Sequence, residues 1–220
     1  MKGWFRMRSS QIELLGSLLT ETFYDDPRVT YILPDERKRR SVLSWFFTSV
    51  AIRTSRLCGE ISTTANVNAA ALWISPGVEL TIGHAARTEV LFRPFNLDRL
   101  SLARWINVNR CLETARLRQG GKHHWYLLAL GAEPSVAGRA TFKALMAPVL
   151  ARADWDLRSC YTESFQERDL PFYEQSGFQI AGAGRIPNGG PNFWTLVRPA
   201  MTRKNRDLVV GAHDMSSSHA

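Results

Sequence analysis

Cysteine is scarce in this 220-residue chain. Cys58, Cys111 and Cys160 are an odd number at wide spacing and match neither a disulfide framework nor a zinc ribbon. They carry the expectation of a reducing, cytoplasmic setting. No apolar run approaches the roughly 20 residues that cross a bilayer, so no membrane partner is expected. The opening MKGWFRMRSS has charge but no apolar stretch behind it, unlike a secretory signal. A Gly-x-Ser-x-Gly elbow is absent, which leaves hydrolase chemistry without support. His84, His123 and His124 stand at no metal-ligand spacing with cysteines or carboxylates, so no metal site is expected. Negative charge is also short: 20 Asp and Glu face 28 Lys and Arg, a net +8. Such a protein usually meets something anionic, whether nucleic acid, a membrane surface or a phosphorylated cofactor. Arg99, Arg104, Arg110, Arg116 and Arg118 do not share one helical face, and no helix-turn-helix or aromatic RNA platform accompanies them. Nucleic acid is therefore not the expected partner.

What is present reads as a mixed α/β (α+β) chain. Ser10 is placed to cap a first helix, with Ile12, Leu15, Leu18, Leu19 and Phe23 at helical spacing, and Asp25-Asp26-Pro27 stops it. Asp35 caps a second helix that buries Val42, Leu43, Phe46, Phe47 and Val50. Its basic run at 37–40 reads as a solvated face. Residues 60–64 and 69–74 are strand-like and joined by a turn at 65–68. The pattern over 79–118 is helical, broken at Arg93-Pro94, with Asn96 as a second cap and Gly120-Gly121 as the end.

Residues 123–132 form a continuous apolar run, as in a central strand covered on both faces. A helix follows over 138–153, with Ala144, Leu145, Val149 and Leu150 inward and a kink expected at Pro148. A short strand spans 159–164, and Asp169 caps a short helix with Pro171 in its first turn and Gly177 as its stop. Two more strands span 178–186 and 192–198. From Met201 the sequence is polar, serine-rich and aperiodic. The expectation is one domain over residues 1–200 and a disordered tail over 201–220.

The junction Ala132-Glu133-Pro134-Ser135-Val136-Ala137-Gly138-Arg139-Ala140 holds the most chemistry. A buried strand ends, the chain turns through small residues, and a helix begins. The first N–H groups of that helix have no internal acceptor, and its dipole favours an anion. Small residues let a phosphate approach the backbone, and Arg139 adds a cation.

Together with Glu163 and Leu170-Pro171-Phe172-Tyr173-Glu174-Gln175-Ser176-Gly177-Phe178, this stretch resembles the GNAT (Gcn5-related) N-acetyltransferase superfamily. HHWYLLALGAEPSVAGRATFKALMAPVLARAD is similar to the family's fourth strand, pyrophosphate loop and following helix, and LPFYEQSGF to its tyrosine helix. FYDDPRVTYILPDERKRR and AAALWISPG are similar to segments of the puromycin-acetyltransferase type. The resemblance spans about residues 12–199. It implies a single domain with a mixed central sheet, splayed fourth and fifth strands and flanking helices. It also implies acetyl-CoA, or another acyl-CoA, as cofactor and a small-molecule amine as acceptor. Leu130, Gly131 and Ala132 would pair with the pantetheine arm, and the N–H groups of Ala137, Gly138, Arg139, Ala140, Thr141 and Phe142 would hold the pyrophosphate. Tyr173 would protonate the leaving thiolate, and Glu163 would accept the amine proton or anchor the ammonium.

Against the family's Gln/Arg-x-x-Gly-x-Gly/Ala loop, Ala137 replaces the leading polar residue and Phe142 fills the last small position. Asp169 stands where the family commonly has a cofactor-contacting asparagine. Three readings follow. The chain is an acetyl-CoA-dependent N-acetyltransferase; a degenerate relative acting as a binding or regulatory module; or the same scaffold with another acyl donor or chemistry. A homodimer through the outer face of the 192–198 strand is left open.

Overall fold

The computed structural model describes residues 9–78, 97–120 and 123–201. The expected break at Arg93-Pro94, the cap at Asn96, His84, Gly121 and the tail beyond Met201 lie outside these residues. The chain begins with α1 (Ser9–Phe23). Leu15, Leu18 and Leu19 of α1 are buried, while Ser10 lies inside the helix rather than capping it.

Asp26-Pro27, expected as a stop, opens a further helix, α2 (Pro27–Ile32). Asp26 accepts from the N–H groups of Arg28 (2.8 Å) and Val29 (3.4 Å), and Pro27 occupies the first turn, where its missing N–H costs nothing. Asp35 then caps α3 (Glu36–Trp45), as its sequence position predicts. A π-turn over Phe46–Ala51 carries the helix on into α4 (Ile52–Cys58). The basic run of α3 is only partly solvated. Arg39 is 5 % exposed and donates to the carbonyls of Leu33 (2.9 Å) and Pro34 (3.2 Å), while Arg40 pairs with Glu21. Alternation alone cannot reveal a buried arginine that ties a loop to a helix.

The sheet contains β1 (Gly59–Thr63), β2 (Ala69–Ile74), β3 (Trp125–Ala132), β4 (Cys160–Ser164), β5 (Gln179–Arg185) and β6 (Asn192–Arg198). Its order is β1-β2-β3-β4-β6-β5. All neighbours are antiparallel except β3 and β4, so this is the mixed sheet expected for the chain, flanked by helices in a single α/β domain. β6 lies inside the sheet and the end of α5 (Arg99–Gln119) covers it, with Thr195 bonded to Gln119. The exposed strand is β5 at the edge. Helix α5 is capped by Asp98, which accepts from the Ser101 N–H at 2.9 Å.

Helices α6 (Arg139–Trp155) and α7 (Leu170–Gln175) cover the other face. In α6 the inward residues are Leu145, Met146, Val149 and Ala153; Ala144 is exposed, a shift of the expected stripe by part of a turn. Asp169 ends a 3₁₀ turn, Glu167–Asp169, and its side chain makes no capping bond, contrary to expectation. Gly177 ends α7 with φ +86°, a conformation a side chain disfavours.

Apolar side chains fill both faces. Leu15, Leu19, Phe47, Ile52, Leu72 and Val108 pack between the sheet and α1–α5, and Trp73, Leu127, Met146, Val149, Phe178 and Leu196 between the sheet and α6–α7. At about 25 cal/mol per Å² of apolar area, each fully buried side chain of this size stabilises by roughly 1.5–3 kcal/mol. Gly131 lets α1 reach the end of β3, because a Cβ there would meet Thr22 at 2.9 Å and Leu19 at 3.2 Å.

Candidate active site

The two parallel strands pair through Trp125 with Cys160 and Tyr126 with Tyr161, and then part. A side chain takes over where the ladder stops: Thr162 Oγ1 donates to the Leu127 carbonyl at 3.0 Å. β3 also slips register against β2 between Leu72 and Trp73, which opposes Ala129 and Leu127 and leaves Leu128 as the extra residue. Beyond the bulge the Glu133 N–H bonds the Asn68 carbonyl on the β2 side at 2.9 Å. N–H groups alternate along a strand, so those of Leu130 and Ala132 face the opposite edge, into the gap.

A cavity of about 100 Å³ occupies this gap. Its walls include Leu130 of β3, Glu163 of β4, Tyr173 of α7, Asp169, and Asp26 and Arg28 at the start of α2. Thus four residues singled out in the sequence, Leu130, Glu163, Asp169 and Tyr173, converge on one cavity. Gly131, Ala132 and the loop from Ala137 to Phe142 do not line it.

Tyr126 Oη donates to Glu163 Oε2 at 2.9 Å. Burial pushes the Glu163 carboxyl above the usual glutamate range, opposed by the Tyr126 bond, Arg28, Tyr161 and Arg116. A carboxylate so balanced is a better proton acceptor than a solvated one. Burial also raises the Tyr173 phenol, reinforced by the negative charge of Asp169, so the proton-carrying form persists through neutral pH. The Tyr173 ring packs edge-on against Phe178 and Phe172, with centroids at 5.7 and 5.3 Å. Asp169 is raised by burial first and by Asp26 across the cavity, against the pull of Arg168. Arg28 lies over the Phe165 ring at 5.1 Å and 3.8 Å from Asp26.

The turn after β3 leaves an open helix start. The Val136 and Ala137 N–H groups bond the Glu133 carbonyl, and the Phe142 N–H bonds the Gly138 carbonyl at 3.0 Å. The N–H groups of Gly138, Arg139, Ala140 and Thr141 between them belong to the first turn, where a helix offers no acceptor. Thr141 Oγ1 donates to the Val136 carbonyl at 2.9 Å and fixes the loop on the helix. Among the described residues, and apart from its two chain neighbours, no atom lies within 4 Å of where a Cβ of Gly138 would stand, and Arg139 and Lys143 are exposed beside it. The Phe142 ring packs inward against Phe172 of α7, with centroids at 5.6 Å.

The site includes residues that the sequence reading did not single out. Asp26, Arg28 and Thr162 belong to the wall or its bonding, and Tyr126 stands behind Glu163. Asp-Pro before a short periodic stretch is a helix-start signature that could have marked Asp26. For Tyr126 there is no local signal, since its partner lies 37 residues away.

No protein-family model matches the chain. It is 21% identical over 180 residues to an uncharacterized N-acetyltransferase of Schizosaccharomyces pombe, covering 79% of this chain and 72% of that protein. Among solved structures it resembles a histone acetyltransferase HPA2 and related acetyltransferase from Corynebacterium glutamicum, with TM-score 0.57, 19% identity and coverage of 90% and 96%. It also resembles a polyamine N-acetyltransferase of Drosophila melanogaster, with TM-score 0.57, 17% identity and coverage of 88% and 97%. An arylalkylamine N-acetyltransferase 2 of Aedes aegypti superposes with TM-score 0.58 at 9% identity, covering 89% and 97%. With its parted parallel strands and open helix start, the chain has the fold of the GNAT N-acetyltransferase superfamily.

Proposed function

We propose that this protein is an N-acetyltransferase that moves an acetyl group from acetyl-CoA to the amine of a small molecule. The observation that carries the reading is the convergence of Glu163 and Tyr173 on one cavity between parted strands. The residues present fit an acyl-CoA. The Leu130 and Ala132 N–H groups offer a free strand edge to an amide-bearing arm. The first turn of α6, with open space over Gly138 and the cations of Arg139 and Lys143 beside it, suits a pyrophosphate. Acetyl-CoA, when bound, supplies the thioester carbonyl. Glu163 takes the proton the amine loses as the N–C bond forms. Tyr173 gives its proton to sulfur as the C–S bond breaks, and solvent restores both groups.

The wall formed by Asp26 and Arg28 at the start of α2, with Phe165 just after β4, is where the acceptor would enter. FYDDPRVTYILPDERKRR supplies part of it, which supports kinship with the puromycin-acetyltransferase type. The cavity carries three carboxylates against one guanidinium, a balance that favours a cationic amine. The arylalkylamine and polyamine enzymes of similar fold make those amines the first to try. The free cysteines Cys58, Cys111 and Cys160 support a reducing compartment such as the cytoplasm.

The test is release of free CoA thiol from acetyl-CoA in the presence of an amine panel, beside a thermal shift with acetyl-CoA alone. Turnover with at least one amine is expected. A protein that millimolar acetyl-CoA does not stabilise would be a binding or regulatory module instead.

A further inference from the structure

Tyr126 stands outside the cavity wall, at the last residue pair where β3 and β4 still hold together. Its hydroxyl reaches across the strand pair to Glu163 Oε2 at 2.9 Å, part-buried, and its ring is covered on the α5 side by the Arg116 guanidinium at 5.5 Å. Its ring also packs against that of Tyr161, with centroids at 5.9 Å. These contacts fix the ring in place before any ligand binds. A phenol that touches the proposed base but not the cavity has a role only through that base.

We propose that Tyr126, clamped by Arg116, is a positioning residue whose hydrogen bond orients the Glu163 carboxylate and holds it in its charged, proton-accepting form. This rests on the assignment of Glu163 as base. The charged and titratable groups facing Glu163 are Tyr126 from β3, Tyr161 from β4, Arg28 from α2, Arg116 from α5 and Tyr173 from α7, with the carboxyl groups of Asp26 and Asp169 in the same cavity wall. Tyr126 comes first among those that favour the charged form. The Tyr126 phenol is itself raised by burial, with the Glu163 charge next, so it stays a donor at every working pH. A hydrogen bond to an ion is among the stronger ones, and its loss favours the protonated carboxyl.

The experiment compares wild type, Tyr126→Phe, Glu163→Gln and the double variant. In Tyr126→Phe the acidic limb of the kcat/KM profile moves to higher pH. At a pH on that limb the rate falls on the order of tenfold, while acetyl-CoA affinity by calorimetry is unchanged. In the Glu163→Gln background the same substitution has no further effect. A second readout needs no ligand: the infrared carboxyl band of Glu163, isolated by subtracting the Glu163→Gln spectrum, persists to higher pH in Tyr126→Phe. An unmoved band, or an unmoved limb with an additive double variant, overturns the proposal. A wild type that binds acetyl-CoA and acetylates nothing overturns the reading of Glu163 as base, and the moving band then still places the hydrogen bond.

Discussion

Replacing Glu163 by glutamine should make the protein more stable and far less active. In an unfolded chain a glutamate ionises near pH ~4.3. Burial raises the folded Glu163 above that value, so the folded protein holds the proton more tightly than the unfolded chain. Below pH ~4.3 both states are protonated and the carboxyl carries no penalty. As pH rises the unfolded chain releases its proton first, and stability falls until folded Glu163 has ionised as well. Glutamine can still accept from Tyr126 but never takes up this charge. The difference in Tm between Glu163→Gln and wild type should therefore be near zero at pH ~4, open with rising pH and then level off. Each tenfold preference of the fold for the protonated form is worth about 1.4 kcal/mol. For a chain of this length that is roughly 3–5 °C. Meanwhile kcat should fall by about 10²–10⁴, the range for removal of a general base. Differential scanning calorimetry across pH, paired with the thiol-release assay, reads both quantities. A variant no more stable than wild type at pH ~8, or one with full turnover, would refute the reasoning.

Other positions separate binding from chemistry. Tyr173→Phe should lose at least about 10²-fold in turnover while acetyl-CoA affinity holds, and the wild-type kcat profile should show no alkaline fall from Tyr173 below pH ~10. Gly138→Val places a side chain in open space with extended backbone, so the unfolding free energy should hold within about 0.5 kcal/mol, while acetyl-CoA binding by calorimetry weakens. Asp154→Ala removes the partner of Arg198, whose side chain is 8% exposed and bonded to it at 2.7 and 2.9 Å. An uncompensated buried charge costs about 3–5 kcal/mol, measurable by urea unfolding.

The C-terminal half of the fold was more legible in the sequence than the N-terminal half, for physical reasons. β6 and α7 are bounded by Asn188, Gly189, Gly177 and Pro171, residues whose backbone preferences act locally. The strand–turn–helix around Gly138 reads from the same punctuation. α2 was hidden because Asp26-Pro27 both ends one helix and begins the next. Within the 37–40 run Arg37, Lys38 and Arg40 are exposed and only Arg39 departs from a solvated face, because it satisfies carbonyls of a preceding loop, a contact outside helical periodicity. Within the candidate site, the resemblance singles out Glu163 and Tyr173, and both line the cavity. Asp169 stands at the N-cap position of α7, but its side chain makes no capping bond and faces the cavity.

The parting of β3 from β4 also bears on how the molecule opens. The backbone ladder between β1-β2-β3 and β4-β6-β5 holds two residue pairs, helped by the Thr162–Leu127 and Tyr126–Glu163 side-chain bonds, while β2 with β3 and β4 with β6 are zipped along most of their length. Backbone amides on either side should therefore exchange with solvent as two cooperative blocks, with the seam between them the first to yield. A molecule lodged in the seam holds both blocks at once, so its binding should slow exchange far from its own contacts and merge the two opening events into one.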